Sequence, residues 1–342
     1  MKVDVNVLFH DLREVAPLVR AAEQVGFDGL WTSETQHDPF LPLAVASTHT
    51  SRLQLGTAIA VAFARSPTVL AHIAWDLQRA TQGRFILGLG TQVKAHIERR
   101  FGMPWEAPAP KLREMILAIR ALWRAWQGDG QINFRGEFYT ITLMSPFFNP
   151  GPIEHPDIPI FIAGVNEHLC RVAGELCQGF HVHPFHTVEY IRQIVLPNIE
   201  AGAARAQRTR ADIELSSTIF VATDEAEREA VRAQIAFYAS TPSYKSILDV
   251  HGWGDINQAL GRLAARQKWD EMPALVSDDL LNAVAIVAPW EELPARIQQR
   301  YAGLLDRVAL YLPFHADELP RWRAWVDAFQ ARPEKSKGEK HL

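Results

Sequence analysis

The stretch that decides the fold covers residues 53–91. It consists of LQLGTAIAVA (53–62), then RSP (65–67), TVLAHIAWDLQRAT (68–81) and RFILGLGT (84–91). Ser66 can cap a helix and Pro67 suits the first helical position, and the residues that follow place their apolar side chains on one face. Because strand, helix and strand at this length form a parallel βαβ unit, we expect a ligand site beyond the strand ends, at 60–65 and 90–100.

The same alternation of strand and helix continues over most of the chain. Eight apolar segments predict strands, at 3–9, 29–32, 53–62, 84–91, 159–164, 179–184, 213–221 and 307–312. Helices separate them, which predicts an α/β protein with a single (β/α)8 barrel, a TIM barrel with insertions, and disfavours a doubly wound sheet. We expect the barrel to span 1–331, with insertions at about 128–157 and 240–275, and a disordered charged tail at 332–342.

The composition narrows the class of protein. The chain has 342 residues, 48% of them hydrophobic, and a net charge of -4 with acidic and basic residues interspersed. This balance argues against a nucleic-acid or membrane partner, and no apolar run reaches the roughly 18 residues of a membrane helix. The N-terminus begins a strand and lacks the features of a signal peptide, so we expect a soluble cytoplasmic protein.

The first candidate cluster follows the second predicted strand and contains Glu34, Gln36, His37 and Asp38. A histidine at this rim of a barrel can act as a general acid or shape an acceptor pocket. We therefore expect His37 and Glu34 to be the catalytic residues. The alternative is a solvated polar loop without a chemical role.

A second cluster lies on the third predicted strand. Its small and apolar residues, from Thr57 through Ala58 and Ile59 to Arg65, can press backbone against a flat ring. The alternative is simply a buried parallel strand, which is also apolar throughout.

A third cluster follows the fourth predicted strand, after Gly90. Seven hydrogen-bonding residues occur between Thr91 and Arg100, among them Gln92 and His96. So many donors and acceptors after a barrel strand favour a ligand site over a solvent-exposed loop, although Arg99 and Arg100 can be solvated.

A fourth cluster stands at the predicted start of a helix and consists of Gly164, Val165, Asn166, Glu167 and His168. Free backbone N–H groups and the helix dipole favour an anion there, so these residues are candidates for binding a cofactor phosphate. The alternative is that Asn166 only caps the helix.

Other reactive residues point to no further chemistry. His181, His183 and His186 follow the sixth predicted strand, but no nearby carboxylate or cysteine completes a zinc site, so we predict no metal. The two cysteines, Cys170 and Cys177, have no metal-ligand spacing and are expected to be buried thiols. Nucleophile elbow, P-loop and dinucleotide fingerprints are missing from the sequence.

Several short motifs occur in a specific order. They are GFDGLW (26–31), LGT (55–57) followed by RSP (65–67), GRFILGLGT (83–91), KAHIERRFG (94–102), and AG (163–164) with AGE (173–175) and Gly179. In this order they resemble the bacterial luciferase-like monooxygenase superfamily. The similarity is greater to the branch that uses the deazaflavin coenzyme F420 in place of a flavin, and it runs from about residue 3 to residue 330.

The resemblance implies a (β/α)8 barrel with a non-proline cis peptide in the third strand, at Ala58–Ile59 or, in the other register, at Thr57–Ala58. It implies a cofactor phosphate on the backbone amides of 164–168, and cofactor contacts at Thr57, Gly90, Thr91, Gln92 and His96. The catalytic histidine of several relatives corresponds to His37, although their usual residue pair aligns nearer Thr35 and Gln36.

The function implied is hydride transfer between F420 and a small organic substrate. A mouth lined by Phe9, Trp31, Phe40 and Phe63 would suit an apolar or planar substrate. One alternative is the FMN-dependent monooxygenase component of a two-component system, which uses O2 and needs a partner reductase to supply reduced flavin. The other is a barrel that binds a ligand without catalysis. Aromatic residues in 128–156 suggest a homodimer, or equally a lid.

Overall fold

A computed structural model describes residues 1–128 and 130–330 of the chain. Eight parallel strands form the barrel: β1 Lys2–Val7, β2 Gly29–Thr32, β3 Gln54–Thr57 with its continuation Ala60–Val61, β4 Phe85–Gly90, β5 Ile160–Gly164, β6 Gly179–Val182, β7 Glu214–Ile219 and β8 Arg307–Leu310. Each strand pairs with the next in sequence, and β8 pairs with β1, which closes the barrel. The predicted (β/α)8 barrel is confirmed. The tail expected to be disordered, 332–342, lies outside the described residues.

Helices surround the barrel and fill one of its excursions. They are α1 Val15–Val25, α2 Phe40–Ser47, α3 Pro67–Ala80, α4 Lys94–Arg99, α5 Pro108–Gln127, α6 Glu167–Leu176, α7 Val188–Tyr190, α8 Leu196–Arg205, α9 Glu225–Ala239, α10 Lys245–Asp249, α11 Gly254–Ala265, α12 Asp278–Val284, α13 Leu293–Tyr301 and α14 Leu319–Gln330. Ser66 caps α3 as expected, because its Oγ accepts from the Val69 N–H at 3.3 Å. None of the helices in the described ranges is long and apolar enough to cross a membrane.

A buried ion pair closes the floor of the barrel. Arg307 is fully buried, and its Nε and Nη2 atoms donate to the two carboxylate oxygens of Asp4, each at 2.8 Å. Its Nη1 donates to Gln54 at 2.7 Å and to Glu214 at 3.1 Å, and the Trp31 indole donates to Asp4 at 2.8 Å. Arg307, Gln54 and Glu214 each begin a strand, so this network fills the amino end of the barrel and leaves the carboxyl end for ligands.

Two excursions leave the barrel. The first carries a short antiparallel hairpin, Phe134–Arg135 with Thr140–Ile141. The second contains α9 to α12, and its end, Ile286–Val287, pairs in parallel with Val221–Ala222 just after β7. Because it starts and ends beyond β7, the second excursion lies at the carboxyl end of the barrel, beside the expected ligand site.

Candidate active site

The third strand breaks at the barrel mouth, and the peptide bond between Ala58 and Ile59 is cis, in the first of the two registers that the resemblance implies. The second strand and its loop hold this bulge. The Ala58 N–H donates to Thr32 O at 2.7 Å, and Ser33 Oγ donates to Ala58 O at 2.7 Å. The Glu34 N–H donates to Ile59 O at 3.1 Å. Hydrogen bonds from Ser33 and Glu34 thus fix both carbonyl groups of the bulge.

A carboxylate clamp continues this bonding. Glu34 Oε2 accepts from the Val61 N–H and from Arg65 Nη1, each at 2.7 Å, and Arg65 Nη2 donates to Asp38 at 2.8 Å. Burial lowers the pKa of the Arg65 guanidinium, but the two carboxylates outweigh burial and hold this pKa above its usual range. The Glu34 side chain is only 7% exposed. Glu34 therefore holds the loops after β2 and β3 together.

Strands β3 and β4 are joined below the bulge by the side chain of Thr57. Its hydroxyl donates to Gly88 O at 2.6 Å and accepts from the Gly88 N–H at 2.9 Å. A Cβ on Gly88 would lie 1.6 Å from Thr57 O, and one on Gly90 would lie 2.7 Å from the Ile59 side chain. The glycines of β4 therefore allow β3 to approach closely. Thr57 stabilises this part of the site by joining the two strands, and its hydroxyl is engaged with Gly88.

The polar segment after β4 contains a short helix, α4. Thr91 is buried and its hydroxyl donates to Gln92 O at 3.1 Å, while Gln92 has a positive φ of 61°. His96 lies on the short helix α4 and is exposed. Arg100, just after α4, donates to Thr35 O, which connects this segment to the loop that carries His37.

The fifth strand ends in the turn that precedes α6. Asn166 caps this helix, since its Oδ1 accepts from the Leu169 N–H at 3.0 Å. Asn166, Glu167 and His168 are exposed, and Tyr190 donates to Val165 O at 2.7 Å and so fixes the turn from behind. The Glu167 carboxylate is paired with Arg171 at 2.7 Å, which offsets its charge beside the helix start. These residues fit an anionic group for two reasons. The first residues of the helix are exposed, so their backbone N–H groups can be reached, and the side chain that caps the helix is neutral.

His37 is exposed on the loop after β2. Its ring lies edge-on to that of His10, with centroids 6.0 Å apart, and both line a small cleft with Thr35 and Phe9 between the loops after β1 and β2. His37 stands beside the clamp and makes no part of it. Its position allows contact with a molecule bound in the mouth.

Comparison with known proteins agrees with this geometry. Residues 2–307 match the luciferase-like monooxygenase family. The chain belongs to this family. An uncharacterized protein of Mycobacterium tuberculosis is 46% identical over 305 residues, which cover 87% of this chain and 90% of that protein. The F420-dependent glucose-6-phosphate dehydrogenase of Intrasporangium calvum is 28% identical over 330 residues, 91% of this chain and 95% of that protein. The solved coenzyme F420 dependent tetrahydromethanopterin reductase from Methanopyrus kandleri has a TM-score of 0.79 and 20% identity, covering 96% of this chain and 97% of that one.

In this luciferase-like protein hydrogen bonds hold three histidines, of which His181 lies on β6 and His183 and His186 follow it. His181 Nδ1 lies 2.6 Å from Ser216 Oγ, and His186 Nδ1 donates to the carbonyl of His183 at 2.8 Å. Burial, together with the charge of Arg307, lowers the pKa of His181 to about 3, and burial lowers that of His186 to about 4. These two rings are therefore neutral parts of the core. Among the residues that the structure describes, no three His, Cys, Asp or Glu side chains are placed to hold a metal ion.

The aromatic residues expected at the mouth are separated by the structure. Phe9 lines the cleft beside His37, whereas the indole of Trp31 donates to Asp4 in the barrel floor, so Trp31 lies away from the opening. The rim of the family barrel also carries Tyr311 after β8, 37% exposed, and beside it Tyr238 from the second excursion. Sequence reasoning missed these residues; the alternation Arg307, Ala309, Tyr311 along β8 was the signal that could have found the first of them.

Proposed function

We propose that this luciferase-like protein is a cytoplasmic enzyme that transfers hydride between coenzyme F420 and a small organic substrate. The observation that carries the proposal is the position of two features on either side of β4: the bonded bulge at Ala58–Ile59 and the open helix start at Asn166. A flat ring system can lie on the bulge while its phosphate reaches the helix amides. A relative of 28% identity that is named as F420-dependent favours the deazaflavin over a flavin.

The residues proposed to hold the coenzyme form two groups. Thr57, Ala58 and Ile59 supply the wall behind the ring, and the segment after β4 supplies polar contacts from Gly90, Thr91, Gln92 and His96. The turn formed by Gly164, Val165, Asn166, Glu167 and His168 binds the phosphate through its backbone. When bound, the coenzyme supplies hydride exchange; the protein supplies orientation, exclusion of water and a proton.

In this proposal the catalytic pair divides its work. His37 is exposed at the mouth and donates or accepts the proton that accompanies hydride transfer. Glu34 acts as a positioning residue, because its carboxylate already binds Val61 and Arg65 at 2.7 Å each. It fixes the bulge against which the ring lies.

The phosphate site is tested by Asn166→Asp. Aspartate caps a helix as well as asparagine does, so stability should not change, but its charge repels a phosphate at the same helix start. We expect F420 to bind about 3- to 10-fold more weakly, with a greater loss at low ionic strength. The matched ligand is 8-hydroxy-5-deazaflavin without the phosphate tail, whose affinity should stay the same. An equal loss for both ligands, or for neither, would remove the phosphate from this turn.

The proton donor is tested by His37→Ala, with His49→Ala as the matched surface control. Reoxidation of reduced F420 by a panel of small carbonyl compounds should slow by about 100-fold or more in the first variant and stay unchanged in the second. Coenzyme affinity should be the same in both. Full turnover in His37→Ala would remove His37 from the mechanism.

An FMN-dependent monooxygenase component remains the second candidate, favoured by the family's description as monooxygenases. FMN also carries a phosphate, so the same turn can bind it. In that case a partner reductase supplies the reduced flavin, and reduced FMN with O2 should oxidise an organic substrate where reduced F420 does not.

We also propose a homodimer that buries the first excursion. Leu143, Phe147 and Phe148 are 82%, 89% and 62% exposed there, which is unusual for large apolar side chains. Sedimentation should show a dimer for the wild type and a shift toward monomer for Phe147→Ser. A monomeric wild type would favour the lid interpretation of this segment.

A further inference from the structure

The side of the mouth opposite the proposed coenzyme wall is formed by β8. Its inward-facing positions alternate, with Arg307 in the barrel floor, Ala309 above it and Tyr311 at the rim. The ladder continues to this residue, because the Tyr311 N–H donates to Ile219 O at 2.8 Å. β8 is the strand farthest from β4 around the barrel, so Tyr311 lies across the opening from the end of β4, where Gly90 and Thr91 stand.

Tyr311 belongs to a wall of aromatic rings. Its ring lies 4.4 Å from that of Phe220, and Tyr238 lies beside Phe220 at 6.3 Å. The His183 ring is edge-on to Tyr238 at 4.8 Å and lies against Tyr244 at 4.5 Å. Tyr238 and Tyr244 come from the second excursion, so this wall is built partly outside the barrel. Phe220 is buried, whereas the rings of Tyr238 and Tyr244 are half-buried, so the two tyrosines are the rings that a flat apolar molecule can reach.

Within this wall the hydroxyls of Tyr238 and Tyr311 form a pair. Tyr238 Oη and Tyr311 Oη are 3.1 Å apart, within hydrogen-bond distance. Burial, and next the hydrogen bond to Tyr311, raise the pKa of Tyr238 far above its usual value, so this hydroxyl stays protonated. Either hydroxyl can be the donor at this distance. Elsewhere in 1–128 and 130–330, no further hydrogen-bond partner of the Tyr311 hydroxyl is found.

When Tyr238 is the donor of this pair, the half-exposed Tyr311 keeps its own proton for a molecule in the mouth. We propose that Tyr311 recognises an oxygen acceptor, a carbonyl or hydroxyl oxygen on a flat apolar substrate, and that Tyr238 is the positioning residue that orients its hydroxyl. This deepens the proposed function, because it assumes that the substrate enters the mouth opposite the coenzyme. It assigns the substrate's polar end to β8 and its apolar body to the rings of Tyr238 and Tyr244, which Phe220 supports from within.

The test compares two probes of similar shape, acetophenone and ethylbenzene, which differ in the oxygen acceptor. Their affinities for the full chain are measured by equilibrium dialysis, with and without oxidised F420. We expect wild type to bind acetophenone more tightly than ethylbenzene by about 3- to 10-fold, the effect of one hydrogen bond, and Tyr311→Phe to bring this ratio close to 1. Equal binding of both probes by wild type, or an unchanged ratio in Tyr311→Phe, would overturn the assignment.

Two more variants separate positioning from general damage. Tyr238→Phe keeps the ring but removes the hydroxyl that pairs with Tyr311. It should lower the ratio of acetophenone to ethylbenzene affinity by about 2- to 3-fold without changing the affinity for ethylbenzene. Tyr139→Phe, which removes a hydroxyl at the hairpin, should change neither. A Tyr238→Phe variant in which both probes weaken equally would make Tyr238 merely structural. Because discrimination is also measured without coenzyme, a failure to bind F420 overturns the proposed function and leaves the test of Tyr311 intact.

Discussion

Replacing Glu34 by glutamine tests whether the clamp at the mouth is structural support or direct chemistry. Glutamine keeps the length of the side chain and an oxygen that can accept from the Val61 N–H. It removes the charge that pairs with Arg65 at 2.7 Å. Since the two side chains are only 7% and 15% exposed, solvent screens the pair little.

The magnitude follows from the two bonds affected. A hydrogen bond to a charged group contributes about 1.5–3 kcal/mol, against about 1 kcal/mol for a neutral one. In Glu34→Gln both bonds lose the negative charge of their acceptor, and Arg65 loses an ion-pair partner. The variant should therefore lower the free energy of unfolding by about 2–3 kcal/mol. The matched control is Asp38→Asn. Asp38 pairs with the same guanidinium but is 36% exposed, so after allowance for solvent its loss should cost about 0.5 kcal/mol.

The assay is urea unfolding of both variants near neutral pH, followed by F420 titration of the folded proteins. Glu34→Gln should be clearly less stable and bind coenzyme more weakly, because the bulge at Ala58–Ile59 is less firmly held. The reasoning is refuted if Glu34→Gln is as stable as Asp38→Asn and binds F420 normally but loses turnover, since Glu34 would then act on the substrate.

Three further outcomes are expected. The pKa of His181 is about 3 in the folded protein and about 6.5 in an unfolded chain, so between these values only the unfolded state binds the proton, and stability falls as the pH drops from about 6.5. Urea unfolding between these pH values should therefore show that the free energy of unfolding of His181→Gln changes with pH less steeply than that of wild type, by up to about 1.4 kcal/mol per pH unit. Equal pH dependence of the two proteins would contradict this. Asp4→Asn leaves the fully buried Arg307 without its carboxylate, so denaturant unfolding should show a loss of about 3–5 kcal/mol with coenzyme affinity unchanged; a loss under about 1 kcal/mol would mean that the pair does not support the floor. Gly88→Ala places a methyl group 1.6 Å from Thr57 O, so the variant should fail to fold by circular dichroism, and a folded protein with native coenzyme affinity would argue against this close contact.

The fold was predictable because its signals are local and repeated. The strands from β1 to β8 are apolar runs with helices between them, and each was expected within about three residues of its observed bounds. The cap at Ser66 and the helix start at Asn166 follow from residue type alone. The short helix α4 was missed, since the segment 94–99 is too short and polar to show a helical period.

The candidate site was only partly predictable. Residues that follow a strand end were found, because the barrel brings all such ends together; Glu34, Thr57 and Asn166 belong to this group. The partner of each residue depends on distances in the folded protein, which the sequence does not give. The ion pair between Glu34 and Arg65 is an example. Tyr238 was missed for a stronger reason: it lies on an excursion, and only tertiary packing brings it beside Tyr311.

The central claim is that the mouth binds a deazaflavin, and a competitive titration tests it most directly. The purified chain is titrated with oxidised F420 and separately with FMN, and quenching of its ten tryptophans is followed. We predict saturable binding of F420, with FMN weaker by at least about tenfold, a difference of roughly 1.4 kcal/mol. Tighter binding of FMN, or saturable binding of neither, would contradict the account.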